Sequence, residues 1–310
     1  MSALAELGHD ARPVGVHDDL RVLRDALDGF DPHVTFNVLE EFNGATHYGH
    51  AVVTFLELVR RAYTGCNPRG LLLAHDKLLT KKLLDWHGIR TPRGRLFPCG
   101  APPPHAKPLG FPLLVKSASE DASLGIAQAS VVHSAEKLAE RVHFMHAHYG
   151  TDVLAEEYIE GRELYVGLVG NARAEPLPIW ELSFADWPAD APRIATERVK
   201  WSAKYQRRRQ LRTARAQGLS ARVEREIAST CRAVYSALSL SGYARIDLRL
   251  DTQGRVWVIE ANPNPDLARD EDFADSARAA GLEYPALVQK ILNLALAWRP
   301  AWKQFEHAPA

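Results

Sequence analysis

Gly-Tyr-Ala-Arg-Ile-Asp-Leu-Arg-Leu-Asp-Thr-Gln-Gly-Arg-Val-Trp-Val-Ile-Glu-Ala-Asn-Pro-Asn-Pro, running from Gly242 to Pro265, is the stretch that decides the fold. Asp251-Thr252-Gln253-Gly254 has the polar, glycine-ending chemistry of a tight turn, and alternating runs flank it. The pattern predicts a β-hairpin. In its first strand Ile246, Leu248 and Leu250 share one face, which leaves Arg245, Asp247 and Arg249 on the other. With 251–254 as the turn, Leu250 pairs with Arg255 and Arg245 falls opposite Glu260. Glu260 and Asn262 then share a face with Asp247, which is diagonal to Glu260 and within its reach. A one-residue bulge would change this register.

Two carboxylates and an amide oxygen beside a guanidinium suit a hard cation. Mg²⁺ is typically held by one or two carboxylates together with nucleotide phosphates. The competing reading is a surface ion pair of Arg245 with Glu260, usually worth under ~1 kcal/mol, beside unrelated acids. The stretch resembles the metal-binding end of ATP-grasp ligases, most closely the D-alanine–D-alanine ligase family. There a strand Asp and a Glu-x-Asn after a hairpin bind Mg²⁺ as a pair of ions, and an Arg precedes the Asp by two residues. The resemblance implies Asp247, Glu260 and Asn262 as metal ligands, and Arg245 as the group that stabilises a tetrahedral oxyanion. It implies ATP and Mg²⁺, with Mn²⁺ as an alternative ion.

The chain has 310 residues, enough for one to three compact units, and its 38 Lys+Arg balance 38 Asp+Glu. Global charge therefore predicts no polyanionic partner. Cys66, Cys99 and Cys231 have neither metal-ligand spacing nor a disulfide framework, and the 13 His are scattered. No basic-then-apolar leader and no long apolar run is present, so a cytoplasmic protein without a membrane partner is expected.

From the N-terminus, Pro13-Val14-Gly15-Val16 hints at a short strand, Leu20, Leu23 and Leu27 predict a helix, and Val34–Leu39 reads as a buried strand. Phe36–Gly65 resembles the family's first domain. The family's opening strand, whose acid binds an amino group of the first substrate, has no counterpart in 1–33. Asp76 caps a helix whose stripe is Leu79, Leu83 and Trp86. Of its lysines, Lys81 and Lys82 read as a solvated face, whereas Lys77 matches the family's Asp-Lys, whose Lys reaches the ATP phosphates. After the proline-rich loop 98–104, Phe111–Lys116 and Gly125–Val132 read as strands around a polar loop of small residues, Ser117–Leu124. Lys116 matches the second phosphate lysine, and Ser123-Leu124-Gly125 matches the end of the phosphate loop. Asp121 and Ala122 depart from that pattern.

Ser134 opens a helix with Leu138, Val142 and Met145 inward, and Val153–Tyr158 is a further strand. The resemblance assigns Glu156 and the backbone of Glu157 and Ile159 to the adenine edge, and Glu163 to the ribose hydroxyls. From Arg198 to Val223 the chain has nine Lys or Arg and no acid. The segment opens on Trp201-Ser202-Ala203-Lys204-Tyr205, similar to the start of the family's closing loop. This implies Lys204 at the γ-phosphate and Tyr205 in the network near the substrate. Five arginines in 207–215 exceed what small zwitterionic substrates need, and the plain alternative is a solvated basic turn. Val223, Ile227, Val234 and Leu238 predict a helix into the hairpin, and Tyr284–Trp298 a closing helix. Asn264-Pro265-Asp266 stands where the family has an oxyanion-binding Gly.

The fold implied is α+β/α/β: an ATP-grasp fold with ATP between two α+β subdomains, preceded by a shortened N-terminal α/β domain. The expected boundaries are 1–68 for that first domain, 69–155 for the subdomain with the phosphate loop, and 156–310 for the one with the metal and substrate site. The implied activity is an ATP-dependent carboxylate–amine ligase acting through an acyl phosphate on amino-acid or peptide-like small molecules, with a different and anionic substrate considered. The alternatives are a non-catalytic ATP-binding protein and a nucleic-acid binder using the basic loop. Zero net charge and the lack of interleaved aromatics in 206–215 argue against the latter. A homodimer stays open.

Overall fold

The computed structural model describes residues 1–101, 109–118, 125–184, 187–188, 191–196, 211–300 and 303. Among these, strands build two antiparallel sheets. The first has the order β1-β4-β2-β3, from β1 (Gly94–Phe97), β2 (Leu113–Ser117), β3 (Val131–Val132) and β4 (Val153–Glu157). The second has the order β10-β9-β5-β7-β8 with β6 on β5. Its members are β5 (Gly161–Val169), β6 (Glu175–Pro176), β7 (Trp180–Phe184), β8 (Leu211–Arg215), β9 (Tyr243–Asp251) and β10 (Val256–Asn262). Helices and antiparallel sheets together give the expected α+β class. No helix among the described residues is long and apolar enough to cross a membrane.

Period-two alternation places the second sheet. Ala244, Ile246, Leu248 and Leu250 of β9, with Leu164, Val166 and Leu168 of β5, enter the largest core. Helix Ala221–Ala237 covers them with Val223, Ile227, Cys231 and Val234, and the helices Leu20–Phe30, Gly49–Leu58 and Pro68–His75 add Leu23, Leu27, Val52, Leu56 and Leu71. Burying a side chain such as Ile246 or Leu248, both fully inaccessible, contributes about 1.5–3 kcal/mol. In the first sheet, Leu113, Val115, Val132, Val153 and Ala155 pack on Val142 and Met145 of helix Ala135–Tyr149, whose N-cap Ser134 accepts from Lys137 N–H.

Several local expectations are corrected. Gly125–Val132 is a strand only at Val131–Val132, because a 3₁₀ turn occupies Gln128–Ser130. Pro13–Val16 has no regular structure and joins no ladder, and Val34–Leu39 is half-buried with a single bridge, Thr35 to Tyr63. An extended segment becomes a strand only when a neighbour supplies hydrogen bonds, and here the two segments line a cavity of about 1750 Å³ rather than each other. Trp86, expected inward, is 85% exposed. The helix Lys77–Trp86 buries Lys77, Thr80, Lys81 and Leu84 instead, so Lys81 is not on a solvated face, while Lys82 is exposed as expected.

Candidate active site

The hairpin forms where the alternation places it, with Gly254 N–H donating to Asp251 O across the turn. Its register differs from the simple count. Val256, not Arg255, pairs with Leu250, and a bulge lies between Val258 and Glu260. Beyond it Glu260 stands directly opposite Asp247, and Asn262 opposite Arg245. On the outer side of this edge strand, Val258 N–H donates to Arg90 O (2.9 Å) and its carbonyl accepts from Thr91 Oγ1 (2.9 Å). Ile259 is the extra residue of the bulge. The correction brings the two carboxylates closer than a diagonal pair.

Arg245 lies along its own strand against Asp247, Nε to Oδ1 2.7 Å and Nη2 to Oδ2 2.9 Å, with its guanidinium 5.0 Å from the Tyr165 ring centre. Burial opposes its charge, but Asp247 outweighs that and holds the guanidinium well above its ordinary pKa. Asn262 Oδ1 accepts from Asn264 N–H (2.9 Å), and Asn264 Nδ2 donates to Leu39 O (2.9 Å), which ties the ligand-bearing turn to the N-terminal segment. Asp266 is exposed and caps its own turn by accepting from Ala268 N–H.

Across a cleft from the hairpin stand the lysines. One cleft is lined by Lys77, Lys116, Glu156, Glu157, Ile159, Glu163, Asp247 and Glu260, so the structure brings these eight predicted residues together. Lys77 Nζ is 4.0 Å from Glu260 Oε2. Glu156, 1% exposed, spends one oxygen on Lys116 (2.7 Å) and the other on Lys81 (2.6 Å). Burial pushes its pKa up, but the two ammonium groups outweigh this and hold it below the usual carboxylate range. Burial likewise pushes Lys81 down, against the attraction of Glu156.

At the other end, Glu163 accepts from Tyr165 Oη (2.8 Å) and is paired with Arg249, which also donates to Arg193 O. Glu157 N–H donates to Arg93 O, while Arg93 N–H and guanidinium both go to the Glu157 carboxylate. The Glu157 N–H and carboxylate are thus both spent on Arg93. Lys204, Tyr205 and Ser123 lie outside the described residues.

Does this donor set fit Mg²⁺? Among the described residues no group of three or more His, Cys, Asp or Glu converges as a metal site. The set here is two carboxylates, opposed across a strand pair, plus an amide oxygen with one lone pair engaged. That is sparse for a protein cage but fits Mg²⁺, which keeps waters and takes phosphate oxygens as further ligands. The lysines beside it supply the cationic wall such phosphates need.

Sequence reasoning missed Lys81, Thr91, Tyr165 and Arg249. Lys81 had a usable signal, because Lys77, Lys81 and Leu84 are spaced i, i+4, i+7 and share one helix face. Thr91 and Tyr165 had none.

Two antiparallel sheets, with lysines on one wall and an acid-bearing hairpin on the other, are the architecture of an ATP-grasp ligase. Residues 83–293 match the family described as D-ala D-ala ligase C-terminus. The chain belongs to the D-alanine–D-alanine ligase family. It is 33% identical over 84% of its length to the uncharacterized protein y4sG of Sinorhizobium fredii, covering 74% of that protein. It is 32% identical over 96% of its length to a D-alanine–D-alanine ligase of Halorhodospira halophila, covering 88% of it. In fold it resembles the crystal structure of the Bacillus anthracis D-alanine–D-alanine ligase complexed with ATP, with a TM-score of 0.69 and 22% identity over 91% of this chain and 84% of that one.

Proposed function

We propose that the protein joins a carboxylate to an amine at the expense of ATP, through an acyl-phosphate intermediate. The observation that carries this reading is the single cleft in which Lys77 and Lys116 face Asp247 and Glu260. The nucleotide's adenine lies along Glu156 and the backbone of Glu157 and Ile159, and Glu163 meets the ribose. Lys77 and Lys116, joined by Lys204, neutralise the phosphates, and transfer to the substrate carboxylate depends mainly on that positioning and charge. Asp247, Glu260 and Asn262 hold Mg²⁺, which when bound offsets phosphate charge. Arg245 stabilises the oxyanion formed when the amine attacks, and Tyr205 orders the substrate end. The resemblance implies a loop opening at Trp201 that would close over the site and exclude water from the acyl phosphate; the expected span of 200–218 is too long, because Leu211–Arg215 is strand β8, paired with β7.

The substrate pair is not two D-alanines. Supporting this, Asp266 replaces the glycine expected at the oxyanion side, and 1–33 offers no counterpart to the family's amino-binding acid. The five arginines of 207–215 favour an acceptor with extra negative charge; Arg212 and Arg215 are exposed on β8, and 207–209 lie outside the described residues. A phosphate-release screen of amino acids and small peptides with ATP and Mg²⁺ tests both points. Efficient D-alanyl-D-alanine synthesis would overturn the substrate reading, and no turnover with any amine would overturn the ligase reading. Arg207→Gln/Arg208→Gln/Arg209→Gln should raise the acceptor KM and leave the ATP KM unchanged; the opposite pattern rules out an anionic acceptor.

A further inference from the structure

Lys81 occupies a position that the proposed chemistry does not use. Its ammonium donates to Thr91 Oγ1 at 3.1 Å and Pro92 O at 3.0 Å and is ion-paired with Glu156 Oε2 at 2.6 Å. The group is buried and contacts no open part of the cleft wall, so it is not itself a phosphate ligand. Both of its side-chain partners lead to the site. Glu156 continues to Lys116 at 2.7 Å, and Thr91 continues to the carbonyl of Val258 at 2.9 Å. Val258 is the residue at which the hairpin bulges, and the bulge is what turns Glu260 to face Asp247.

We propose that Lys81 is a positioning residue that ties the phosphate-binding lysine on one sheet to the metal-binding carboxylates on the other. The charge count explains the first half. Lys81, Lys116 and Glu156 together carry a net charge of one positive unit. Because Glu156 is shared between two ammonium groups, Lys116 keeps part of its field for an incoming anion. With Lys81 removed, the same buried carboxylate would belong to Lys116 alone, and the group would be neutral. At these separations and in this degree of burial, such a change is large compared with a surface ion pair. The second half is geometric. Thr91 Oγ1 accepts from Lys81 and donates to the carbonyl of Val258, two residues before Glu260, so the lysine orients the hydroxyl that holds this part of the strand.

This inference rests on the ATP site proposed above, and the test separates the two. Binding is measured by calorimetry for adenosine, for ATP in chelator and for ATP with Mg²⁺, after circular dichroism has established the native fold of each variant. If wild-type protein binds none of these, the ATP-site reading fails and the inference with it. If wild type binds them, Lys81→Met should weaken ATP in chelator about tenfold or more beyond whatever it costs adenosine, which has no phosphates but meets Glu156, the partner of Lys81. Lys81→Arg, which keeps the charge, should restore most of the ATP affinity. Thr91→Val, nearly the same shape without the hydroxyl, should leave ATP in chelator unchanged and weaken the Mg²⁺-dependent gain several-fold. A merely structural lysine would lower the melting temperature and shift adenosine and ATP alike. That result, or wild-type ATP binding by Lys81→Met, overturns the proposal. Should Lys81→Met not fold, the Thr91→Val and Lys81→Arg arms decide: an unchanged Mg²⁺ gain in the first, or tenfold weaker ATP in the second, overturns it.

Discussion

Arg245 grips Asp247, two residues further along the same strand, through paired hydrogen bonds of 2.7 and 2.9 Å. The proposed oxyanion-stabilising group and a proposed metal ligand thus neutralise each other, and Glu260 faces the same carboxylate from the opposite strand. A divalent cation held by Asp247 and Glu260 would compete with the guanidinium for Asp247, and Arg245 would then be available to the substrate.

Asp247→Asn, Glu260→Gln and Asn262→Ala should each keep the native circular-dichroism spectrum and lower ATP turnover by about 100-fold or more, because each removes an oxygen ligand. Turnover by Glu260→Gln at the wild-type rate would show that the hairpin does not hold the metal.

Gly242 opens the hairpin's first strand with φ +72°, and a Cβ there would stand 2.4 Å from Gly65 O. The Gly242 backbone is held at both polar groups: its O accepts from Gly170 N–H, and its N–H donates to Asn171 Oδ1. Gly242→Ala should cost about 2–4 kcal/mol in urea unfolding. A loss below ~0.5 kcal/mol would mean that the contact is absent in solution.

Asp251 closes the hairpin turn by accepting from Gln253 N–H, Arg255 and Trp257 Nε1. Burial alone would raise its pKa, but the hydrogen bonds from Trp257, Arg255 and Gln253 outweigh it and bring it to about 2. A carboxylate lowered on folding stabilises above its unfolded pKa, near 3.8, and loses that contribution as pH falls through about 2. Asp251→Asn should therefore destabilise by about 1 kcal/mol at neutral pH, with the gap to wild type closing between pH 4 and pH 2. A gap in melting temperature that does not change with pH would contradict this account.

Cys66 and Cys231 are buried, and burial pushes the Cys66 thiol up to about 12 and raises Cys231 as well, whereas Cys99 is exposed. Thiolate is the reactive form. A chromogenic disulfide should titrate one of the three thiols rapidly in native protein, and all three after denaturation. Rapid reaction in Cys99→Ser would show that one of the buried cysteines opens.

What the sequence by itself determined is everything that depends on near neighbours. Alternation over Gly242–Pro265 was enough for a hairpin with Ile246, Leu248 and Leu250 inward, since strand side chains must alternate. Asp76 and Ser134 are helix caps because their oxygens meet backbone N–H groups three residues on. Eight of the thirteen residues expected at the site line one cleft, and two more, Arg245 and Asn262, sit on the same hairpin. Only the tertiary structure decided the rest. The bulge after Val258, which no local pattern marks, sets Glu260 opposite Asp247, and Arg90 and Thr91, far away in the chain, take the outward backbone groups of Val258. Trp86 is outside and Lys81 inside because an ion pair with Glu156 and two hydrogen bonds to the 91–92 segment compensate the buried ammonium, and a buried charge so compensated no longer follows hydropathy. Val14 and Phe36 look like strand residues, yet their segments build no ladder. Strand propensity is local, whereas the hydrogen bonds that make a sheet belong to whichever chain lies alongside.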